Sequence, residues 1–220
     1  MATLDDELVE KLNIFIAGIG VDYAICGGHA IDLFLRKKTR PHKDLDVSVY
    51  WEDRDTIVKY MLNEGWDVYE PCGTAYLHKI NNVTNQKRIK TNIWCVMLTN
   101  QHYKFTEHDK DMYAVDFDNS EQTSLDYIEF LFNTRKNGNF LYSKNHDIKI
   151  DIANVIFRVN GIPCLAPEMV LLYKSTAIDN PDYQLDFDNT IKKLSMEQSS
   201  WLKKSLSAMF PDGHKWLNTL

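Results

Sequence analysis

The sequence predicts an α+β chain whose C-terminal part is helical. Three observations lead there. The first 65 residues alternate helical and extended apolar spacing, residues 66–165 carry short β-like runs cut by turn residues, and from residue 166 apolar residues return at helical intervals.

Leu4, Leu8, Leu12, Phe15 and Ile16 repeat at helical spacing, which predicts a helix over 4–17 closed by Gly18 and Gly20. Residues 23–26 read as a short strand running into Gly27-Gly28. A helix over 29–35 follows, with Ala30, Leu33 and Phe34 inward. Residues 45–50 form a β-branched strand: Leu45, Val47 and Val49 face one way, Asp44, Asp46 and Ser48 the other. An amphipathic helix over 53–64 places Ile57, Val58, Met61 and Leu62 on one side and ends at Gly65.

The β-like runs are 66–69, 75–80, 89–98, 112–117, 127–132, 140–142, 148–152 and 155–159, and 161–165 reads as a final hairpin arm. Pro167 suits the first position of a helix running to Ser175. The polar stretch 179–183 reads as a loop and 185–194 as a second helix. Ser195-Met196-Glu197-Gln198 has capping-box order and opens a third helix over 196–209. The change of texture near Ala166 predicts two parts, 1–165 and 166–220. They share an interface, because the tail is too short for much core of its own.

At 220 residues with 44% apolar content, a sizeable core is available. A net charge of −6 disfavours a nucleic-acid partner, since such proteins carry a basic excess. The N-terminus lacks the basic-then-apolar order of a signal peptide, and no apolar run reaches membrane-spanning length. Cys26, Cys72, Cys95 and Cys164 are scattered without a CxxC pair, which fits reduced thiols in a cytoplasmic protein. The seven histidines include no HExxH, so a zinc site is not expected.

Two motifs carry chemistry. Asp44 and Asp46, at i and i+2 on a strand, project from one face roughly 6–7 Å apart. Carboxylates so placed share divalent cations, and magnesium favours a few carboxylates plus substrate phosphate oxygens. Alone, an Asp-x-Asp pair is also the solvated face of a strand. Gly27-Gly28 opens a helix whose free N–H groups and dipole favour anions, and glycine lets a phosphate approach without a Cβ in the way. The plain alternative is a tight turn. Arg40, His42 and Lys43 precede the acidic strand, either to pair with a triphosphate or to offset the aspartates. Asp32 reads as a surface or capping carboxylate. His29 either caps the glycine turn or lies near a nucleotide.

The string from Gly27 to Phe34, followed by Thr39-Arg40-Pro41-His42-Lys43-Asp44-Leu45-Asp46, resembles the nucleotidyltransferases of the polymerase-β type. Within them it is similar to the aminoglycoside-2''-adenylyltransferase and lincosamide branch. Gly161–Glu168, Leu171–Ser175, Asp186-Phe187 and Trp201-Leu202 resemble the second half of that branch. The resemblance implies a nucleotidyltransferase fold, a mixed β-sheet flanked by helices, over 1–165, with 166–220 as a C-terminal helical subdomain.

It further implies transfer of a nucleoside monophosphate from ATP or another triphosphate to a hydroxyl, with pyrophosphate release and two Mg²⁺. Asp44 and Asp46 would hold the metal. Gly27, Gly28, Arg40, His42 and Lys174 would contact the nucleotide phosphates. The family needs a third carboxylate, and Asp116 is the expected one because apolar residues flank it; Asp118 and Asp151 are reserves. The acceptor is expected to be a small aminoglycoside- or lincosamide-like molecule. Candidate acceptor carboxylates lie in 107–111 and 116–121, stretches that equally read as solvated acidic loops. A tRNA or protein hydroxyl as acceptor, or a non-catalytic nucleotide-binding module, are the alternatives.

Overall fold

The computed structural model describes residues 7–73, 76–100, 102–118 and 120–220. The chain starts with α1 (Glu7–Ala17), β1 (Ala24–Ile25), α2 (Gly27–Leu35), β2 (Asp46–Tyr50) and α3 (Arg54–Asn63). A run of strands follows: β3 (Asp67–Pro71), β4 (Leu77–Ile80), β5 (Asn92–Val96), β6 (Tyr103–Asp109), β7 (Met112–Phe117), β8 (Tyr127–Lys136), β9 (Asn139–Leu141) and β10 (Lys149–Asp151). After a single turn, α4 (Ile152–Val155), come β11 (Ile156–Val159) and β12 (Ile162–Leu165). The chain ends in α5 (Pro167–Lys174), α6 (Pro181–Thr190) and α7 (Met196–Met209). Parallel and antiparallel pairings both occur, so the fold is the expected mixed sheet with helices and a helical C-terminal part.

The described residues pack into two compact units, one of 24–40 with 134–220, the other of 7–23 with 41–133. The change of texture at Ala166 falls inside the first of these.

In the unit of 24–40 and 134–220, β1 pairs parallel with β12, and β12 pairs antiparallel with β11 across the turn Asn160-Gly161. The last residues of β8 pair with β9, and β9 with β10. Ala30, Ile31 and Leu33 of α2 are buried, as are Met169–Leu172 of α5 and Leu202 and Leu206 of α7. Helix α5 packs against α2, α6 and α7. Phe187 stacks on Trp216 at 4.3 Å. Ser195 caps α7 in the expected reciprocal box with Gln198.

In the unit of 7–23 and 41–133, β2 pairs parallel with β8, and the order continues antiparallel through β5, β3, β4, β7 and β6. Val47, Val49, Ile93, Cys95, Ile128 and Phe130 alternate onto one face and are buried. Val9, Leu12 and Ile16 of α1 and Ile57, Val58 and Met61 of α3 are also buried. Phe15 meets Tyr60 edge-on at 5.7 Å, joining these two helices. At the end of α1, a Cβ on Gly18 would lie 2.8 Å from the Tyr60 hydroxyl, so a side chain here would push the end of that ring aside.

Some elements differ from expectation. The described part of the first helix begins at Glu7, and Leu4 and Ala75 lie outside the described residues. Helix α2 starts at Gly27 rather than residue 29. Helix α6 starts at Pro181, because Asn180 accepts from the Asp182 amide and proline suits the first turn; the expected loop is thus partly helix. Strand β6 was not expected. Its charged sequence reads as a loop, yet Tyr103 and Phe105 alternate with Lys104 and Thr106, and Asp111 at φ 59° turns the chain into β7.

Candidate metal and nucleotide site

Strand register assembles the acidic centre. Asp46 of β2 lies opposite Glu129 of β8, and Glu129 opposite Trp94 of β5. Residues directly opposite share a face, so these three side chains stand in a row across it. Asp44, two residues before Asp46, shares that face. One carboxylate oxygen from each of Asp44, Asp46 and Glu129 lies within 4.8 Å of the others. Among the described residues these three are the group able to hold a metal ion.

Three half-buried carboxylates so close repel one another. Burial, with the Asp44 charge adding to it, pushes Glu129 up to about 7, against the Asn92 amide that donates to it at 2.6 Å. A divalent cation would displace that proton and relieve the repulsion, so the donor set fits Mg²⁺.

The same face is aromatic beyond the acids. Tyr69, Tyr127 and Trp94 share it, and Tyr103, Phe105, Tyr113 and Val115 pack against them. Tyr69 stacks on Phe105 at 4.4 Å and Tyr103 on Tyr127 at 4.2 Å. The Tyr103 hydroxyl donates to the Lys43 carbonyl at 3.1 Å, and burial with the Asp44 charge raises its pKa.

Asp116 does not join the acids. On β7 it stands opposite Lys104, exposed. Tracing register from Glu129 through Trp94, Tyr69, Lys79 and Leu77 reaches Tyr113, so Tyr113, Val115 and Phe117 share the acidic face. Asp116, between Val115 and Phe117, projects from the other side. Asp118 accepts from Ser120, and Asp151 caps α4. Glu129 takes the expected third place. The signal was present: one carboxylate in the apolar run Tyr127–Phe132, flanked by Ile128 and Phe130. Of the proposed acceptor acids, Glu107 and Asp109 are exposed on β6.

The phosphate candidates are placed as follows. Gly27 adopts φ 63°, a conformation that favours glycine, and opens α2. Its N-cap, Cys26, makes no side-chain capping hydrogen bond, and Gly28 is buried in the first turn. Asp32 is buried and accepts from the Thr39 amide and hydroxyl, fixing the chain before Arg40. Arg40 donates to Asp186 through Nε at 3.1 Å and Nη2 at 2.9 Å. Lys174 Nζ lies 2.9 Å from Asp186 Oδ2 and 4.3 Å over the Tyr183 ring. Both cations are thus engaged by a carboxylate that the sequence named only within the resemblance and gave no role. His42 is buried, and its carbonyl accepts from the Gln122 amide. Gly27, Gly28, Arg40 and Lys174 belong to the unit of 24–40 and 134–220. His42 and the acidic cluster belong to the other.

A sequence profile described as aminoglycoside-2''-adenylyltransferase matches residues 9–174. The chain belongs to that family. It is therefore a nucleotidyltransferase, of a family that uses a nucleoside triphosphate and a divalent metal. Among curated proteins none matches this family member in sequence. Two solved structures resemble its fold. The lincosamide antibiotic adenylyltransferase LnuA, lincomycin-bound, has a TM-score of 0.53 at 15% identity, covering 89% of this chain and 100% of its own. The antibiotic-resistance factor ANT(2'')-Ia has a TM-score of 0.52 at 12% identity, covering 94% of this chain and 92% of its own. No described helix is long and apolar enough to cross a membrane.

Proposed function

We propose that this chain transfers a nucleoside monophosphate, from ATP first among triphosphates, to a hydroxyl of a small antibiotic-like acceptor in the cytoplasm, releasing pyrophosphate. The observation that carries this reading is the convergence of Asp44, Asp46 and Glu129 within 4.8 Å in a chain of this family. Bound between them, two Mg²⁺ ions would neutralise charge on the attacking and leaving oxygens.

The protein's own groups have three tasks. Asp44, Asp46 and Glu129 hold the cations. Gly27, Gly28, Arg40, His42 and Lys174 are the groups assigned to phosphate oxygens. The acceptor class is the one named by the similar structures, with lincomycin in one of them. The half-exposed rings of Tyr103 and Trp94 beside the acids offer it a surface on which a sugar or apolar ring stacks.

The test is a pyrophosphate-release assay with Mg²⁺, each of the four nucleoside triphosphates, and a panel of aminoglycosides and lincosamides, with product masses. Acceptor-dependent release with a mass gain of one nucleoside monophosphate is expected. Asp44→Ala and Asp46→Ala are each expected to reduce it by about a hundredfold or more while circular dichroism stays unchanged, since a bound metal supplies several kcal/mol. Full activity in either variant would overturn the metal assignment.

A further inference from the structure

The backbone around Asp44 is held from other parts of its own unit. The His42 carbonyl accepts from the Gln122 amide at 2.8 Å, and the Leu45 carbonyl from the Glu129 amide at 2.9 Å. Between them, the Lys43 carbonyl accepts from the Tyr103 hydroxyl at 3.1 Å. The outer two are main-chain bonds, which most residue types could make. The middle one, on the residue joined directly to Asp44, depends on a side chain.

Tyr103 comes from β6, at the end of the strand order β2-β8-β5-β3-β4-β7-β6. It reaches back to β8 all the same. Its ring stacks on Tyr127 at 4.2 Å and meets Phe117 edge-on at 5.5 Å. This part of the sheet therefore curls until its last strand lies against the start of β8, where buried Tyr127 shares a face with Glu129. The stack fixes the ring, and the ring delivers the hydroxyl beside the acids. Burial, then the charges of Asp44, Glu129, Asp46 and Asp126, hold its proton well above the ordinary phenol range, so it remains a donor.

We infer that Tyr103 is a positioning residue for the metal site: its hydroxyl, by holding the Lys43 carbonyl, sets where the Asp44 carboxylate stands. This rests on the nucleotidyltransferase reading above, because it takes Asp44, Asp46 and Glu129 as metal ligands. The Lys43 carbonyl and the Asp44 amide form one rigid plane that ends at the Asp44 Cα. If that plane turns, the side chain it carries swings with it. A force to turn it is present, since three carboxylates within 4.8 Å repel one another until a cation arrives. Tyr103 resists that force and keeps the acids gathered in advance of the metal.

A purely structural hydroxyl makes a different prediction. If it only tied β6 to the chain before β2, its loss would lower stability and leave metal affinity as it was.

The experiment is titration of the full chain with Mg²⁺ alone, read by calorimetry and by the rise in melting temperature. Tyr103→Phe keeps the ring on Tyr127 and removes the hydroxyl. Tyr69→Phe is the control, since Tyr69 lies in the same aromatic cluster but its hydroxyl meets Asp67 instead, at 3.5 Å. Tyr103→Phe is expected to bind Mg²⁺ about tenfold more weakly, as when a group that orients a metal ligand is lost. In the transfer assay its Mg²⁺ midpoint is expected to rise by a similar factor. Tyr69→Phe is expected to leave both unmoved. Unchanged or tighter Mg²⁺ binding in Tyr103→Phe, or an equal loss in Tyr69→Phe, would overturn the positioning role. A drop in metal-free melting temperature without loss of affinity is the mark of a structural tie and would overturn it too. A wild-type chain with no response to Mg²⁺ would remove the metal reading and this inference together. A wild-type response that Tyr103→Phe shares in full removes this inference only.

Discussion

Glu129 shows how one side chain couples stability to chemistry. Its proton is held up to about 7 against an ordinary 4.5. Between those values the folded chain binds a proton that the unfolded chain has released, so metal-free stability falls as pH rises from about 4.5 to about 7 and levels off above. Glu129→Gln is expected to abolish that slope and to raise the melting temperature in EDTA at pH 7.5. It should also erase the Mg²⁺-induced stabilisation that mass action gives the parent chain. Apparent Mg²⁺ affinity in the parent should drop as pH falls below about 7, because the metal must then displace a proton. Asp116→Asn, on the opposite side of the sheet, is expected to leave all three readouts unchanged. Melting curves over a pH and Mg²⁺ grid distinguish the two positions.

Among the elements, β3, β4 and α3 meet in a buried ionic knot. Glu70 accepts from Arg54 at 2.7 Å and from the Arg88 amide at 2.9 Å, bonds His78 Nδ1 at 3.0 Å, and also takes the Lys87 amide. Arg54 donates to Gln86 at 2.7 Å and sits 4.7 Å from the Phe132 ring. The knot pins 86–88, the approach to β5, whose Asn92 and Trp94 flank Glu129. Glu70→Ala leaves Arg54 buried without its partner and is expected to cost about 3–5 kcal/mol in urea unfolding. The sequence spoke clearly where local signals decide. The Gly27-Gly28 turn, the Asp44–Asp46 alternation, the Ser195 box and the Pro167 start are each set within a few residues. It was silent where pairing decides. Glu129 reaches Asp46 only through the parallel register of β2 and β8, and Asp116 is turned away by a register that passes through five strands. Strand β6 hid because its second half, Glu107-His108-Asp109, is polar and charged on both faces. The role of Asp186 hid because a carboxylate inside a helix looks solvated until Arg40, far back in the chain, and Lys174 of the preceding helix reach it.

For the molecule as a whole, the order of the chain matters more than its texture. Residues 24–40 find their packing partners only after residue 134, since Met169–Leu172 of α5 cover α2 and β1 pairs with β12. A fragment ending at residue 165 keeps β1, β12 and α2 but loses α5, α6 and α7. It is expected to lose the cooperative melting of the full chain and to bind the dye ANS strongly, as exposed apolar faces do. Cooperative melting of that fragment would mean that 166–220 adds no essential core. The same threading has a consequence on the ribosome. At about 5–20 residues per second, α2 emerges and then waits roughly 5–20 s before residue 134 is even made. Throughout that interval Ala30, Ile31 and Leu33 lack the cover they have in the finished chain. The glycine turn and Arg40 are among the first groups synthesised and among the last to reach their final setting, so yield should respond to chaperone supply during translation more than to the stability of the finished protein.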